Sequence, residues 1–351
     1  MWRPGRERAG ARHRGRSPRA PDGPRAGAGA RGDVGAGACG EVGAGACWSV
    51  GVRDVIAIVG PTAAGKSALS LRLAEELGGE VVNADSMQLY RGMDVGTAKL
   101  TASERAGVPH HVLDIWDVTE PASVAVYQRL ARAAIDDIAA RGRVPLLVGG
   151  SGLYVRAVLE DFDFPGTDPD LRAELERELD EAGPAPLYAR LRAADPVAAA
   201  RILPSNGRRI VRALEVNALT GTTFTAELPA PRPVYDALQL GVDVDTAVLD
   251  PRIDARVELM WANGFVDEVR GLLGRGLREG RTAAGALGYR QIMNMLDGLC
   301  DAATARAETA RATRRFVRRQ RSWFRRDERI VWLDGAAADV TEAALRVVRS
   351  D

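Results

Sequence analysis

A strand, a glycine loop and a helix start follow one another without a break at residues 54–77. Asp54-Val55-Ile56-Ala57-Ile58-Val59 is a short, β-branched apolar run, the composition of a strand buried on both faces of a parallel sheet. Gly60-Pro61-Thr62-Ala63-Ala64-Gly65-Lys66-Ser67 comes next and fits the phosphate-binding pattern G-x-x-x-x-G-K-[ST]. From Ser67 to Leu77 apolar residues recur at helical spacing, and Gly78-Gly79 ends the run. In that order the backbone N–H groups of the loop and the positive end of the helix dipole face an anion. The expected ligand is a di- or triphosphate, and the intact flanks argue against a chance glycine-rich turn. The expected fold is α/β, with a P-loop NTPase-like parallel-sheet core.

Only two of the 48 basic Lys and Arg residues are lysines, Lys66 in this loop and Lys99. A chain that otherwise uses Arg has kept Lys where a compact ammonium on a flexible stem matters, because the planar guanidinium does not fit every phosphate cradle. A net charge of +1 with 46% hydrophobic residues suits a chain with a large core and two domains, and neither demands nor excludes a nucleic-acid partner. Three cysteines, two of them in the N-terminal stretch, make neither a disulfide framework nor a metal cluster. With no apolar stretch of membrane-spanning length and no apolar secretory segment, a cytoplasmic protein is expected.

Residues 1–50 are rich in Arg, Gly, Pro and Ala and carry Val-Gly-Ala-Gly-Ala-Cys twice, at 34–39 and 42–47. Such a segment buries too little apolar surface to offset its ordering entropy, so a disordered tail is expected. A basic RNA-binding tail, a transit peptide and a start codon placed too far upstream are the alternatives.

Glu80-Val81-Val82-Asn83-Ala84 reads as a second strand and delivers Asp85 beyond its carboxyl end, where open α/β sheets bind ligands. A carboxylate there can hold magnesium through water or act as a general base; it can also simply cap a helix. Val144-Pro145-Leu146-Leu147-Val148 is a further strand, ending in Gly149-Gly150-Ser151-Gly152. This second glycine turn reads as a tight strand-to-helix connection, or as room for a ligand backbone. His110 and His111, adjacent on an extended segment, point to opposite sides and read as structural, one packed and one solvated. From 165 to 225 the α/β pattern gives way to helices with charged faces, such as Asp170–Ala182 and Pro186–Ala194, before a strand returns at 236–242. An inserted all-helical domain at 165–225 is expected, with the core made of 51–164 and 226–351 and a helical C-terminal region. Arg208, Arg209 and Arg212 put guanidinium groups on adjoining faces of one helix, suited to phosphate contacts. Nine arginines share 311–329 with Phe316, Trp323 and Phe324, a composition that suits RNA phosphates and splayed bases. The aromatics are assigned mainly to the core and the arginines partly to RNA.

Gly60-Pro61-Thr62 with Gly65-Lys66-Ser67, Asn83-Ala84-Asp85-Ser86-Met87-Gln88, Tyr90 to Lys99, Val108-Pro109-His110-His111 and Leu147 to Tyr154 together resemble the bacterial tRNA dimethylallyltransferases, or tRNA isopentenyltransferases. Arg208 to Val216, Ala286 to Gln291, and Arg318-Arg319-Gln320 with Trp323-Phe324-Arg325 continue the resemblance in the same order. It implies transfer of a dimethylallyl group from dimethylallyl diphosphate to the exocyclic N6 amine of the adenosine 3′ of the tRNA anticodon. The implied partners are dimethylallyl diphosphate and the anticodon stem-loop, with magnesium as cofactor and no membrane, and the chain is expected to be a monomer. The implied diphosphate site is Gly60, Pro61, Thr62, Ala63, Ala64, Gly65, Lys66 and Ser67, with Ser67 also ligating magnesium. The implied catalytic groups are Asp85, which accepts the amine proton, Thr62, which donates to the bridging oxygen, and Arg252, which contacts the diphosphate. The implied tRNA contacts are Asp85, Ser86, Met87, Gln88, Ser151, where the family usually has Thr, and Arg208, Arg209, Ile210, Val211 and Arg212. Family members often carry Arg two residues before the Leu-Gly-Tyr triplet; this chain has Gly285, which bears on RNA affinity rather than on the reaction. A nucleoside or small-molecule kinase shares the loop, the Asp and magnesium, but the chain shows no obvious Walker-B strand ending in Asp. A noncatalytic RNA-binding protein that holds nucleotide structurally is the third alternative.

Overall fold

The computed structural model describes residues 53–162, 164–224 and 230–350; the expectation of a disordered N-terminal tail lies outside them. Six parallel strands form one sheet: β1 (Val55–Val59), β2 (Gly79–Asn83), β3 (His110–His111), β4 (Val144–Gly149), β5 (Ala237–Asp243) and β6 (Ile330–Asp334). Their order is β3-β2-β4-β1-β5-β6. Every pairing is parallel, so the carboxyl ends of all six strands lie along one edge of the sheet. The chain is α/β, as the loop and its flanks require.

Strand β1 shows why its sequence is apolar throughout. Val55, Ala57 and Val59 join one core cluster, together with residues of α2 (Val124–Ala140), α3 (Gly152–Leu159), α9 (Phe265–Leu273) and α10 (Tyr289–Leu296). Ile56 and Ile58 join the other, with residues of α1 (Lys66–Leu77), α8 (Thr246–Ala262) and α12 (Val340–Ser350). Helix α11 (Ala302–Phe324) supplies residues to both clusters.

Between α3 and β5 run four helices, α4 (Pro169–Ala182), α5 (Pro184–Ala194), α6 (Pro196–Arg201) and α7 (Gly207–Thr220). They enclose their own apolar cluster, which includes Leu175, Leu187, Leu191, Ile202, Ile210 and Leu214. Glu215 of α7 is fully buried beside that cluster, paired with Arg172 and Arg212. Those partners hold its carboxyl below the usual range against the upward push of burial.

Each glycine loop begins with a close approach to the backbone of a neighbouring strand or the turn after it. Gly60 has φ 137°, and a Cβ there would lie 2.1 Å from the Val242 carbonyl oxygen. At Gly149 a Cβ would lie 2.1 Å from the Ala84 carbonyl oxygen. Strands β1 and β4 can therefore end flush against β5 and β2 only because both positions lack a side chain.

The two histidines are held by separate partners, and His110 also lines the cavity described below. His111 Nε2 lies 2.7 Å from Glu80 Oε2 and His110 Nδ1 lies 2.9 Å from the Val108 carbonyl. Both rings are half-buried, which corrects the expectation of one packed and one solvated: β3 is a sheet edge of only two residues, so both sides of it are partly covered.

Lys99 shows why one lysine outside the loop was kept. Its side chain is 3% exposed, and its ammonium donates to the Tyr90 carbonyl at 3.0 Å and to Asp94 and Asp114 at 2.6 Å each. Three donors meet three acceptors, and the turn after β2 is pinned to the turn after β3. Lys99→Arg puts a larger planar group into a filled slot. Overpacking of this kind costs about 1–3 kcal/mol, and the expected result is a lower midpoint in urea unfolding with an unchanged slope.

Candidate active site

At the carboxyl edge a cavity of about 410 Å³ opens between the phosphate loop, the turn after β2 and helix α8. Thr62, Ala63, Gly65, Lys66 and Ser67 line it on one side, Asp85 and Gln88 on another, and Arg252 and Arg256 on a third. Two roomier surface grooves of about 560 Å³ lie elsewhere and contain none of the loop's residues. Convergence of chemistry, rather than size, selects the site.

The loop keeps its shape through local bonds and one distant side chain. Lys66 Nζ donates to the Pro61 carbonyl at 2.7 Å, curling back over its own loop. Burial pushes the Lys66 ammonium down to about 8, Asp85 pulls it up, and Arg256 pushes it down. Gly65 precedes α1 with φ 106°, a conformation that favours glycine, and Ser67 is exposed in the first turn of that helix, where N–H groups have no intrahelical acceptor. Ala64 and Pro61 are buried beneath the loop and do not line the cavity; neither does Gly60.

Because the depressed Lys66 loses its proton near pH 8, the free protein's attraction for a phosphate anion weakens above that pH. In stability terms the sign is the reverse. The cost of burying the ammonium is present below about pH 8 and is relieved as pH rises toward the ordinary lysine range, since the unfolded chain then binds more protons. Titration calorimetry with inorganic diphosphate from pH 7 to 10 is expected to show affinity falling through about pH 8.

Asp85 follows β2 and is half-buried. Its Oδ1 accepts the Met87 N–H at 2.9 Å, and its own N–H donates to Asn83 Oδ1 at 3.0 Å. One carboxylate oxygen thus stabilises the turn, and no hydrogen bond to Oδ2 occurs among the described residues. Beside it the Ser151 hydroxyl accepts from the Ser86 N–H at 3.1 Å and lies 3.2 Å from the Ser86 hydroxyl, which ties the β4 turn to the β2 turn. Gln88 donates to the Thr97 carbonyl at 3.2 Å, and Met87 packs on the core.

In the second glycine turn, Gly149 lines the cavity, while Gly150 and Gly152 pack against helix α11. Gln320 of α11 donates to the Gly150 carbonyl at 3.0 Å, and its Oε1 accepts the Thr62 N–H at 2.9 Å. A Cβ on Gly150 would lie 2.3 Å from Gln320 Nε2, and one on Gly152 would lie 2.1 Å from the Trp323 ring. The missing side chains at Gly150 and Gly152 admit helix α11, and one amide holds both glycine loops together. Nothing in the spacing of either loop announces this partner, which lies 170 residues from Gly150.

None of residues 208–212 lines the cavity. Arg208 and Arg209 are exposed on α7, and Arg208 donates to the Arg281 carbonyl at 3.3 Å. Ile210 and Val211 are 0% and 3% exposed, so their side chains pack inside the helical cluster and offer nothing to an RNA. Arg212 is tied to Glu215 and to the Pro165 and Gly166 carbonyls. Of the five residues, two present outward guanidinium groups.

Helix α11 divides its arginines. Arg311, Arg314 and Arg321 and, beyond the helix, Arg325 and Arg329 are paired with carboxylates. Arg315, Arg318, Arg319 and Arg326 are exposed and have no carboxylate partner among the described residues. Phe324 is buried and Trp323 packs on the core, while Phe316 lies under Arg319 at 5.6 Å. Arg256, which lines the cavity, and Gln320, quoted above only within the resemblance but bonded to the Thr62 N–H, are given no role by the sequence reading. For Arg256 the available signal was its spacing of four from Arg252 on a helix.

Sheet, loop and cavity define a phosphate-loop α/β enzyme. Residues 88–327 match the family described as IPP transferase. The tRNA dimethylallyltransferase of Salinispora arenicola is 71% identical over 296 residues, covering 84% of this chain and 86% of that protein. That of Streptomyces coelicolor is 66% identical over 288 residues, covering 82% and 92%. Among solved structures, the tRNA isopentenylpyrophosphate transferase of Bacillus halodurans is 41% identical with a TM-score of 0.63, covering 84% of this chain and 94% of that one. A eukaryotic dimethylallyltransferase acting on tRNA aligns at 27% identity with a TM-score of 0.71, covering 84% and 77%. The chain belongs to the IPP transferase family.

Proposed function

We propose that the protein transfers the dimethylallyl group of dimethylallyl diphosphate to the N6 amine of the adenosine 3′ of the anticodon in tRNA and releases diphosphate. The observation that carries this reading is the meeting, in one cavity, of the phosphate loop, Arg252 and a half-buried Asp85 whose Oδ2 is unengaged. The bond between the dimethylallyl C1 and the diphosphate oxygen breaks, and a bond from N6 to C1 forms. The diphosphate carries away the electron pair, and an N6 proton passes to Asp85 Oδ2. An amine conjugated to its ring is a poor nucleophile, and a base within hydrogen-bond reach offsets that weakness as the bond forms. Charge grows on the leaving oxygen, where Lys66, Arg252 and the Thr62 hydroxyl are the groups at hand.

Magnesium fits the donors present. Ser67 and Asp85 line one cavity, and among the described residues no group of three or more His, Cys, Asp or Glu could hold a metal alone. That suits a hard cation that keeps several waters and takes its other ligands from phosphate. When bound it would neutralise diphosphate charge. The RNA is read as approaching along Ser86, the exposed Arg208 and Arg209 of a helical insertion domain at 165–225, and the unpaired arginines of α11. No helix among the described residues is long and apolar enough to cross a membrane.

The kinase reading is disfavoured by what ends the strands beside β1. Strand β4 ends in Gly149 and offers no carboxylate. Contrary to the expectation that no strand ends in Asp, β5 ends in Asp243, but its carboxylate is taken by Arg321 and Arg325. The test is to incubate labelled dimethylallyl diphosphate and unmodified tRNA with the protein and count acid-precipitable label. Magnesium-dependent incorporation, lost in chelator and restored by added magnesium, is expected. ATP consumption without incorporation would contradict the reading.

A further inference from the structure

Three successive backbone N–H groups, those of Asp94, Val95 and Gly96, converge on one point. Such a run makes a cradle for an anion. Here the anion is a side chain of the protein: the half-buried Glu268 carboxylate of α9 accepts them at 3.0, 2.7 and 3.1 Å. Its fourth donor is the Tyr289 hydroxyl of α10, at 2.6 Å. Tyr289 is fully buried. A Cβ on Gly96 would lie 2.2 Å from the Phe265 ring and 2.6 Å from that of Tyr289, so the chain is pressed directly onto α9 and α10. Hydrogen bonds from N–H groups to an ionised carboxylate are about twice as strong as those between neutral groups.

The residues that follow are cavity wall. Thr97, Ala98, Lys99 and Leu100 line the same space as the phosphate loop and Asp85. Ala98 has φ 47°, in the left-handed region that residues other than glycine rarely enter. Strain of this kind persists only where the surrounding structure over-determines it. The Thr97 carbonyl beside it accepts from Gln88 Nε2 at 3.2 Å and from Arg256 Nη2 at 3.3 Å, so two further lining side chains are placed by where this carbonyl points. Ala98 and Leu100 join Val81, Leu113 and Val148 in the apolar part of the lining, the part that suits a hydrocarbon group rather than a phosphate. Glu268 does not line the cavity; it grips the chain just before the wall begins.

We infer that Glu268 is a positioning residue: by holding the N–H groups of 94–96 it fixes the wall at 97–100, and with it the room left for the donor's hydrocarbon group. The inference rests on the donor reading of this cavity proposed above. A wall that yields when the grip is lost admits a longer chain and seats the short one less well. Glu268 therefore acts on donor selectivity rather than on proton transfer or RNA binding.

The test is transfer to unmodified tRNA by the full chain, with dimethylallyl diphosphate and with geranyl diphosphate, for wild type, Glu268→Gln and Tyr289→Phe, alongside tRNA filter binding and melting temperature. Glu268→Gln changes the volume little but turns an amide NH2 toward the N–H groups. It is expected to lower kcat/KM for dimethylallyl diphosphate about 10- to 100-fold, the weight of a misplaced reactant. Preference for dimethylallyl over geranyl diphosphate should fall about tenfold, the scale on which a pocket senses a methylene. Tyr289→Phe removes one donor of four, so both shifts should keep their direction and shrink to about threefold. tRNA affinity stays near wild type in both variants. An unchanged donor preference in Glu268→Gln would overturn the inference, and with a lowered melting temperature would make Glu268 structural. Loss of tRNA affinity in step with kcat/KM would also overturn it. If Glu268→Gln does not fold, Tyr289→Phe decides by the same readouts. If the wild type transfers neither donor, the donor reading of the cavity falls and this inference falls with it.

Discussion

Asp85→Asn is expected to lower kcat by about 10²- to 10⁴-fold, the usual weight of a general base, while leaving the dissociation constants for tRNA and inorganic diphosphate near wild type. Asparagine is the informative choice because of how the turn is built. Asp85 Oδ1 accepts the Met87 N–H at 2.9 Å, and the carbonyl of an asparagine can keep that bond. Its amide nitrogen then stands where Oδ2 was and cannot take a proton. Asp85→Ala removes the turn bond and the base together and confounds the two. Single-turnover kinetics with bound tRNA isolates the chemical step. If Asp85→Asn instead loses tRNA affinity in step with turnover, the carboxylate is a turn-former and another group accepts the proton.

Lys66→Met is expected to produce the next largest loss. Removing one preorganised donor aimed at developing charge costs about 10²- to 10³-fold in kcat, and diphosphate affinity should fall with it. The free protein should nonetheless stay folded. Among the described residues the Lys66 ammonium makes one hydrogen bond, to the Pro61 carbonyl, and it carries a burial cost of its own that pushes it down to about 8. A melting temperature close to wild type with a large kinetic defect would separate ligand chemistry from loop architecture. An equal fall in melting temperature and rate would make Lys66 a structural strut.

What could be read from the sequence follows the range of the interaction. The loop, β1 and α1 are local: one strand period, one glycine pattern and one helix period specify them within 24 residues of chain, 54–77. The place of Asp85 was legible because a parallel sheet gathers every strand's carboxyl end at one edge, the edge where the cavity opens. The run at 208–212 shows the limit of reading contiguous residues as one contact surface. A helix turns Ile210 and Val211 inward while Arg208 and Arg209 face out, and Arg212 is spent on the buried Glu215.

Gln320 shows a different limit. Its amide joins Thr62 to Gly150 across 258 and 170 residues of sequence, and no local period encodes that. The arginine-rich stretch at 311–329 was read by composition as basic and aromatic, which was correct for charge. It could not reveal that Gln320 and Trp323 fill the second glycine turn. Arg256 was hidden for the same reason, because its bond to the Thr97 carbonyl is a property of the folded site.

The most direct measurement is mass analysis of nucleosides from unmodified tRNA after incubation with the purified protein, dimethylallyl diphosphate and magnesium. The account predicts a dimethylallyl adenosine, alkylated at N6 and mapped by fragment sequencing to the position 3′ of the anticodon, with one diphosphate released per nucleoside formed. Unaltered nucleosides under conditions where the protein binds both substrates, or alkylation spread over many adenosines, would contradict it.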